Sequence, residues 1–288
     1  MRTLSQPPYD PADVFQDCIR GISKASLRAK FKLIEAAHVA QASDYSKKAR
    51  SAKLYRYPEF DGGKSDAVVG GITKNDFYKL YVQYFAGDKK PARTYYDALF
   101  MSSPNQKCPY CAIGDVYTLD HYLPKSKFPQ FSTLVTNLVP ACRDCNEGSK
   151  RTSSASSFGD QTLHPYFDKG GYYNAQWLFA NIIESSPPVV EFYVSCPLSW
   201  SMDEQKRVQA HFEGFRLKTR YGIRAAGELT SVNTRLIMHY SNASMAKIRA
   251  NINETYTAEQ SLNANSWMTA MYMALVRSDW YCGGGFKC

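Results

Sequence analysis

The stretch 107–151, KCPYCAIGDVYTLDHYLPKSKFPQFSTLVTNLVPACRDCNEGSKR, decides how the whole chain is read. Cys108 and Cys111 form one C-x-x-C pair, and Cys142 and Cys145 form a second about thirty residues on. Each pair sets two sulfurs on one tight turn, so the two pairs predict a tetrahedral four-cysteine zinc site. Such a site has no open position for a substrate, which makes its zinc a structural staple. Asp120 and His121 lie side by side between the pairs, Asn137 follows sixteen residues after His121, and Asn146 comes directly after the last cysteine. Carboxylate and amide oxygens are hard ligands that suit Mg2+ or Mn2+, and a neutral imidazole can take a proton from water near pH 7. A lone Asp-His pair reads more simply as a capped turn with a hydrogen-bonded histidine. Flanked by two cysteine pairs and two asparagines, this one carries the residue types that phosphodiester hydrolysis needs.

Composition fixes the setting for that segment. Of 288 residues, 44% are hydrophobic, 14% aromatic and 21% charged, enough for one sizeable core or two modest ones and unlike a disordered chain. No repeat with a period of 20 to 50 residues is visible, which argues against solenoids and propellers. The opening MRTLSQPPYD has no apolar stretch of secretory length, so a cytoplasmic protein is expected. The longest mainly apolar run, 267–276, is about half the ~20 residues of a membrane span. Without export, paired cysteines favour a metal over disulfides. Cys18, Cys196, Cys282 and Cys288 are scattered and carry no assigned role.

The formal net charge is +9, and it is concentrated. Between 24 and 56 stand nine basic residues (Lys24, Arg28, Lys30, Lys32, Lys47, Lys48, Arg50, Lys53, Arg56) against Glu35 and Asp44. This focus is read either as a polyanion-binding surface, acting by counterion release, or as a solvated helix face. Lys125, Lys127, Arg143, Lys150 and Arg151 crowd the cysteine segment and are candidates for phosphate contacts.

Working outward, Leu27, Phe31, Ile34 and His38 fall on one helical stripe, with His38 read as a packed histidine. The run PEFDGGKSDAVVGG reads as loop, and Thr73 with Asp76 predicts a capping box that opens a helix with Phe77, Leu80, Tyr81 and Tyr84 on one face. A further helix is expected after Pro91. Beyond the cysteines, RTSSASSFGD reads as loop, and 177–183 and 189–194 as a β-hairpin. Helical spacing returns over 203–240 and 267–280, and CGGGFKC reads as a flexible end. His164 reads as a packed histidine over one that approaches the metal, and Tyr172 and Tyr173 as core or hairpin packing over stacking on bases.

The cysteine segment resembles the zinc-bearing HNH nucleases of the ββα-metal, or His-Me finger, family. The residues carrying the resemblance are Cys108, Cys111, Asp120, His121, Asn137, Cys142, Cys145 and Asn146, within the strings LDHYLPKS and NLVPACRDCN and the trailing Lys150. Asn146 stands where many members carry histidine and others asparagine. The resemblance implies a strand ending near Asp120 and His121, a second strand after Asn137, and a helix from near Asn146. It makes Asp120, His121, Asn137 and Asn146 the catalytic set, with Asp120 and Asn146 on a divalent ion, His121 as general base, and Asn137 holding the loop and orienting the imidazole. Neighbouring strand residues point to opposite faces, so Asp120 and His121 share a site only if the strand twists or ends there.

The fold expected is α+β and mainly helical, a zinc-stapled ββα-metal unit packed against N- and C-terminal helices and a β-hairpin. The domains expected are a helical 1–106, a nuclease core 107–163 and a C-terminal 164–288. The activity implied is a metal-dependent DNA endonuclease, with RNA left open. By analogy with freestanding bacterial HNH proteins, a role in defence against phage beside an ATPase or sensor subunit is also implied. The alternative is a zinc-stabilised nucleic-acid-binding or scaffold subunit without catalysis of its own.

Overall fold

In the computed structural model, residues 1–150, 154–168 and 170–288 are described, with the backbone alone at 149 and 150. The chain divides into two compact units, Arg2–Asp168 and Lys169–Cys288, the second including Met1. The fold is α+β and mainly helical, with three two-stranded antiparallel sheets among the described residues.

The first unit opens with α1 (Pro11–Arg20), α2 (Ala25–Leu33) and α3 (Glu35–Arg50). The stripe expected to form one helix is thus divided at Ile34, whose backbone leaves the helical range (φ −101°, ψ 5°). Gly70 approaches Ile34 so closely that a Cβ there would lie 2.4 Å from Ile34 Cγ2. Within the expected 58–71 loop, β1 (Ala67–Val69) and β2 (Ile72–Thr73) form a short ribbon, turned by Gly70 and Gly71 at positive φ, where glycine costs least. The Thr73–Asp76 capping box forms as expected and opens α4 (Lys74–Lys79), which runs on through a wider helical stretch, Leu80–Phe85. Its face buries Phe77, Leu80 and Tyr81, with Tyr84 partly buried against the core. After α5 (Arg93–Met101), β3 (Thr118–His121) pairs with β4 (Leu138–Ala141), Asp120 opposite Val139 and His121 opposite Leu138.

A ββ hairpin alone cannot bury enough apolar surface to hold itself. Here Leu119, Val135 and Leu138 join one cluster with Phe15, Phe31, Phe77, Leu80, Phe85 and Leu99, so the N-terminal helices and the cysteine segment share a core. His38 packs within this unit, 4% exposed and stacked on Phe15 at 4.0 Å between ring centres.

In the second unit, α6 (Gly171–Asn174) precedes the expected hairpin, formed by β5 (Leu178–Ile183) and β6 (Val189–Val194). Alternation buries Leu178 and Ala180 on one strand and Val190 and Phe192 on the other. The helices α7 (Met202–Gly214) and α8 (Leu217–Tyr240) are separated at Arg216, which has φ 53°. Then come α9 (Met245–Leu262), α10 (Trp267–Arg277) and α11 (Asp279–Cys282). Helix α9 escaped the periodicity reading because only Ile248 and Ile252 are buried along its eighteen residues. The tail read as flexible is instead packed: Tyr281, Cys282 and Phe286 are buried, and Lys287 Nζ donates to Ser241 O at 2.8 Å.

Burial lowers the His38 pKa from 6.5 to about 4. The unfolded chain therefore binds the proton more strongly, so His38 contributes stability that is complete above about pH 6.5 and is lost as the pH falls towards 4. In urea titrations between pH 7 and pH 4.5, the parent is expected to lose about 2 kcal/mol more stability than His38→Gln. Parallel curves for the two proteins would contradict that assignment.

Candidate metal centre and adjoining cleft

The four predicted sulfurs converge. Cys108, Cys111, Cys142 and Cys145 are all buried, with their Sγ atoms within 4.8 Å of one another and Cys111 Sγ 3.8 Å from Cys142 Sγ. A tetrahedron with metal–sulfur bonds of about 2.3 Å has edges of about 3.8 Å, so the cluster has the dimensions of a zinc site. The first knuckle is closed by backbone bonds from Ala112 N to Cys108 O (2.7 Å) and from Cys108 N to Gly114 O (2.8 Å). Gly114 N also donates to Cys111 Sγ at 3.5 Å. In the second knuckle Asn146 N donates to Cys142 O at 3.1 Å, and the chain turns into the helical stretch Asp144–Lys150. Burial pushes the Cys108 and Cys145 thiols well up, whereas hydrogen bonding, chiefly with Cys108, brings Cys142 down to about 7. A cation bound here would hold all four as thiolates, and its binding would be coupled to proton release and to folding.

Beside this cluster lies a cleft of about 510 Å³ lined by Tyr81, Thr118, Leu119, Asp120, His121, Pro124, Lys125, Ser126, Asn146 and Glu147. Asp120 and His121 end β3 and both line it, as a shared site requires. Asn146 comes from the other side of the second knuckle. Asp120 is 2% exposed, and its Oδ2 accepts from the Tyr110 hydroxyl at 3.0 Å. His121 Nε2 lies 2.9 Å from Ser132 O, a pure acceptor, so Nε2 carries the proton and Nδ1 is the basic atom. Tyr81 stands edge-on to the imidazole at 4.4 Å between ring centres.

Asn137 is brought near but does not line the cleft. It is fully buried, and its amide spans the loop between the strands: Oδ1 accepts from Leu123 N (2.7 Å) and Tyr45 OH (2.9 Å), while Nδ2 donates to Leu123 O and Phe131 O (both 3.1 Å). With both donors and two acceptor positions engaged, the side chain acts as a brace. His164 also lies outside the cleft, buried and stacked on Tyr122 at 4.1 Å, with Nδ1 accepting from Tyr166 N at 3.3 Å. Its Nε2 faces Tyr45 OH at 3.3 Å, which completes a chain of hydrogen bonds from His164 through Tyr45 to Asn137.

The basic candidates divide. Lys125 lines the cleft, with its ammonium 5.0 Å from the Tyr81 ring centre and its pKa lowered by desolvation against the opposing pull of Asp120. Lys127 is bound to Glu59 (3.0 Å) and Ser154 (3.1 Å). Arg143 lies over Tyr117 (4.3 Å) and pairs with Glu147 (3.6 Å). Arg151 and the Lys150 side chain lie outside the described residues. Sequence reasoning missed Tyr81 as a cleft wall, because its stripe reads as plain core, and it assigned no role to Glu147, which also lines the cleft.

Fold and centre together define an α+β protein with a buried four-cysteine site of zinc dimensions. No helix among the described residues is long and apolar enough to cross a membrane. Over 293 residues, covering 97% of this chain and 98% of the relative, the sequence is 31% identical to protein ea31 of Escherichia phage lambda, and the chain belongs to the ea31 family. No family model and no solved structure matches it.

One zinc per chain is expected by elemental analysis of protein purified without chelator. Cys108→Ser and Cys142→Ser should each abolish it and lower the melting temperature sharply, because metal affinity here is folding energy. His121→Ala should keep its zinc. Equal metal loss in all three variants would refute the separation of staple from cleft.

Proposed function

We propose that the chain is a metal-dependent endonuclease of the HNH, ββα-metal, type that hydrolyses phosphodiester bonds in DNA. The observation that carries this reading is the single cleft in which Asp120, His121 and Asn146 meet beside the four-cysteine cluster. Their donor atoms fit a hard cation: one carboxylate and one amide oxygen suit Mg2+ or Mn2+, held by Asp120 and Asn146. When bound, such an ion supplies positive charge to a phosphate oxygen and to the leaving 3′-oxygen.

The chain's own groups do the rest. His121 donates through Nε2 to Ser132 O, which fixes the ring with Nδ1 as the base that takes a proton from water. The water oxygen forms the new bond to phosphorus in line with the P–O3′ bond that breaks. The 3′-oxygen takes a proton from solvent water as it leaves, and the proton held by His121 returns to solvent, giving 5′-phosphate and 3′-hydroxyl ends. Tyr81 limits rotation of the imidazole, and Lys125 offers a partly desolvated ammonium to the phosphate. Asn137 positions the loop bearing Lys125 and touches no reacting atom. The zinc at the cysteines has a closed ligand set and serves structure. The ATPase or sensor partner and the role in defence rest on the resemblance alone.

Supercoiled plasmid incubated with the protein and Mg2+ or Mn2+ should be nicked. EDTA should abolish nicking, and His121→Ala should lower its rate by at least about 100-fold, the usual weight of general-base catalysis. Plasmid binding that is unchanged by His121→Ala, with no cleavage under any metal, would favour the non-catalytic binding subunit instead.

A further inference from the structure

Tyr110 is the one large side chain inside the first cysteine knuckle, placed between Cys108 and Cys111. It is fully buried, and its hydroxyl donates to Asp120 Oδ2 at 3.0 Å. A knuckle loop has no packing need for a phenol that reaches across to the adjoining hairpin and ends on a carboxylate. A phenylalanine would fill the same apolar space, so the hydroxyl is the part that requires an explanation. Its bond takes up one lone pair of Oδ2 and restricts the swing of the carboxyl group, which directs the remaining oxygen lone pairs.

We propose that Tyr110 is a positioning residue that ties the structural zinc knuckle to the divalent-cation site, by holding the Asp120 carboxylate in its ligating orientation. This rests on the endonuclease reading above, because it takes Asp120 as a ligand of the hard cation. The gathered sulfurs add to the backbone bonds that hold the Tyr110 turn, so the orientation of Asp120 is linked to the thiolate cluster. Outer hydrogen-bond partners of this kind typically change metal affinity by roughly 10- to 100-fold. Oxidation or stripping of the knuckle is therefore expected to weaken the cleft's hold on its cation before the hairpin itself unfolds.

The test uses the full-length, zinc-loaded chain and Mn2+ as probe, followed by electron paramagnetic resonance titration, so that it does not depend on activity. The parent is expected to bind Mn2+ and Asp120→Asn to lose that binding. Tyr110→Phe is expected to bind at least about 10-fold more weakly with an altered Mn2+ line shape, while its zinc content and melting temperature stay near those of the parent. Parent-like Mn2+ affinity in Tyr110→Phe, with Asp120→Asn still defective, overturns the inference and leaves the nuclease reading intact. Weakened affinity accompanied by zinc loss also overturns it, since the hydroxyl would then serve the knuckle alone. Absence of Mn2+ binding by the parent, or binding indifferent to Asp120→Asn, removes the cation site and the inference with it.

Discussion

The gathering of four sulfurs is the constraint on which the central architecture depends. It joins turns about thirty residues apart in sequence, and everything between them is forced into a closed loop. Inside that loop, strands of only four residues each pair over Thr118–Ala141, Leu119–Pro140, Asp120–Val139 and His121–Leu138. A ladder this short, with a proline in it, has little strength of its own. The cysteine cluster fixes its open end, and Asn137 braces the connecting loop at the other with four hydrogen bonds. Register in the hairpin is therefore set from both ends, by the convergence of the four sulfurs at one and a satisfied buried amide at the other.

The closed loop still cannot bury its own apolar face, and the N-terminal helices do that work. Phe15 from α1, Phe31 from α2 and Phe77 from α4 form the bulk against which Leu119, Val135 and Leu138 pack. The N-terminal helical region also reaches the cleft and its bracing loop: Tyr81 stands beside His121, and Tyr45 of α3 bonds Asn137. The helical region and the cysteine segment thus share one core and one cleft within the first unit, and 1–106 does not stand as a separate compact body.

Local chemistry was legible in the sequence and tertiary placement was not. The cysteine pairs, the Thr73–Asp76 box and the β5–β6 hairpin are signals whose partners lie within a few residues or repeat at a fixed spacing. Ile34, where the helices divide, is approached by Gly70, and the CGGGFKC tail is tied down by the bond from Lys287 to Ser241; both contacts join residues more than thirty positions apart. The basic candidates show the same limit. Lys125, Lys127 and Arg143 look alike in sequence, yet one lines the cleft, one is held by Glu59 and one lies over Tyr117. The resemblance marks Asn137 as holding the loop and orienting the imidazole; its observed bonds run to Leu123, Phe131 and Tyr45, whereas the His121 ring is bonded to Ser132 O.

The energetics of β3 bear on why Asp120 and His121 occupy that strand at all. Their cross-strand neighbours, Val139 and Leu138, are apolar and fully buried, and the preceding Leu119 packs into the core. Apolar residues at 120 and 121 would serve such a hairpin better, since a buried carboxylate or imidazole must be compensated by hydrogen bonds merely to break even with its lost hydration. The compensation is built from separate elements: Tyr110 from the first knuckle for Asp120, and Ser132 from the connecting loop for His121. Partners drawn from two directions hold the two side chains at the cleft despite the alternation of the strand. Two polar side chains at apolar-flanked strand positions, each bonded by a partner from a different element, therefore stand at a stability cost that the packing of the hairpin alone does not call for.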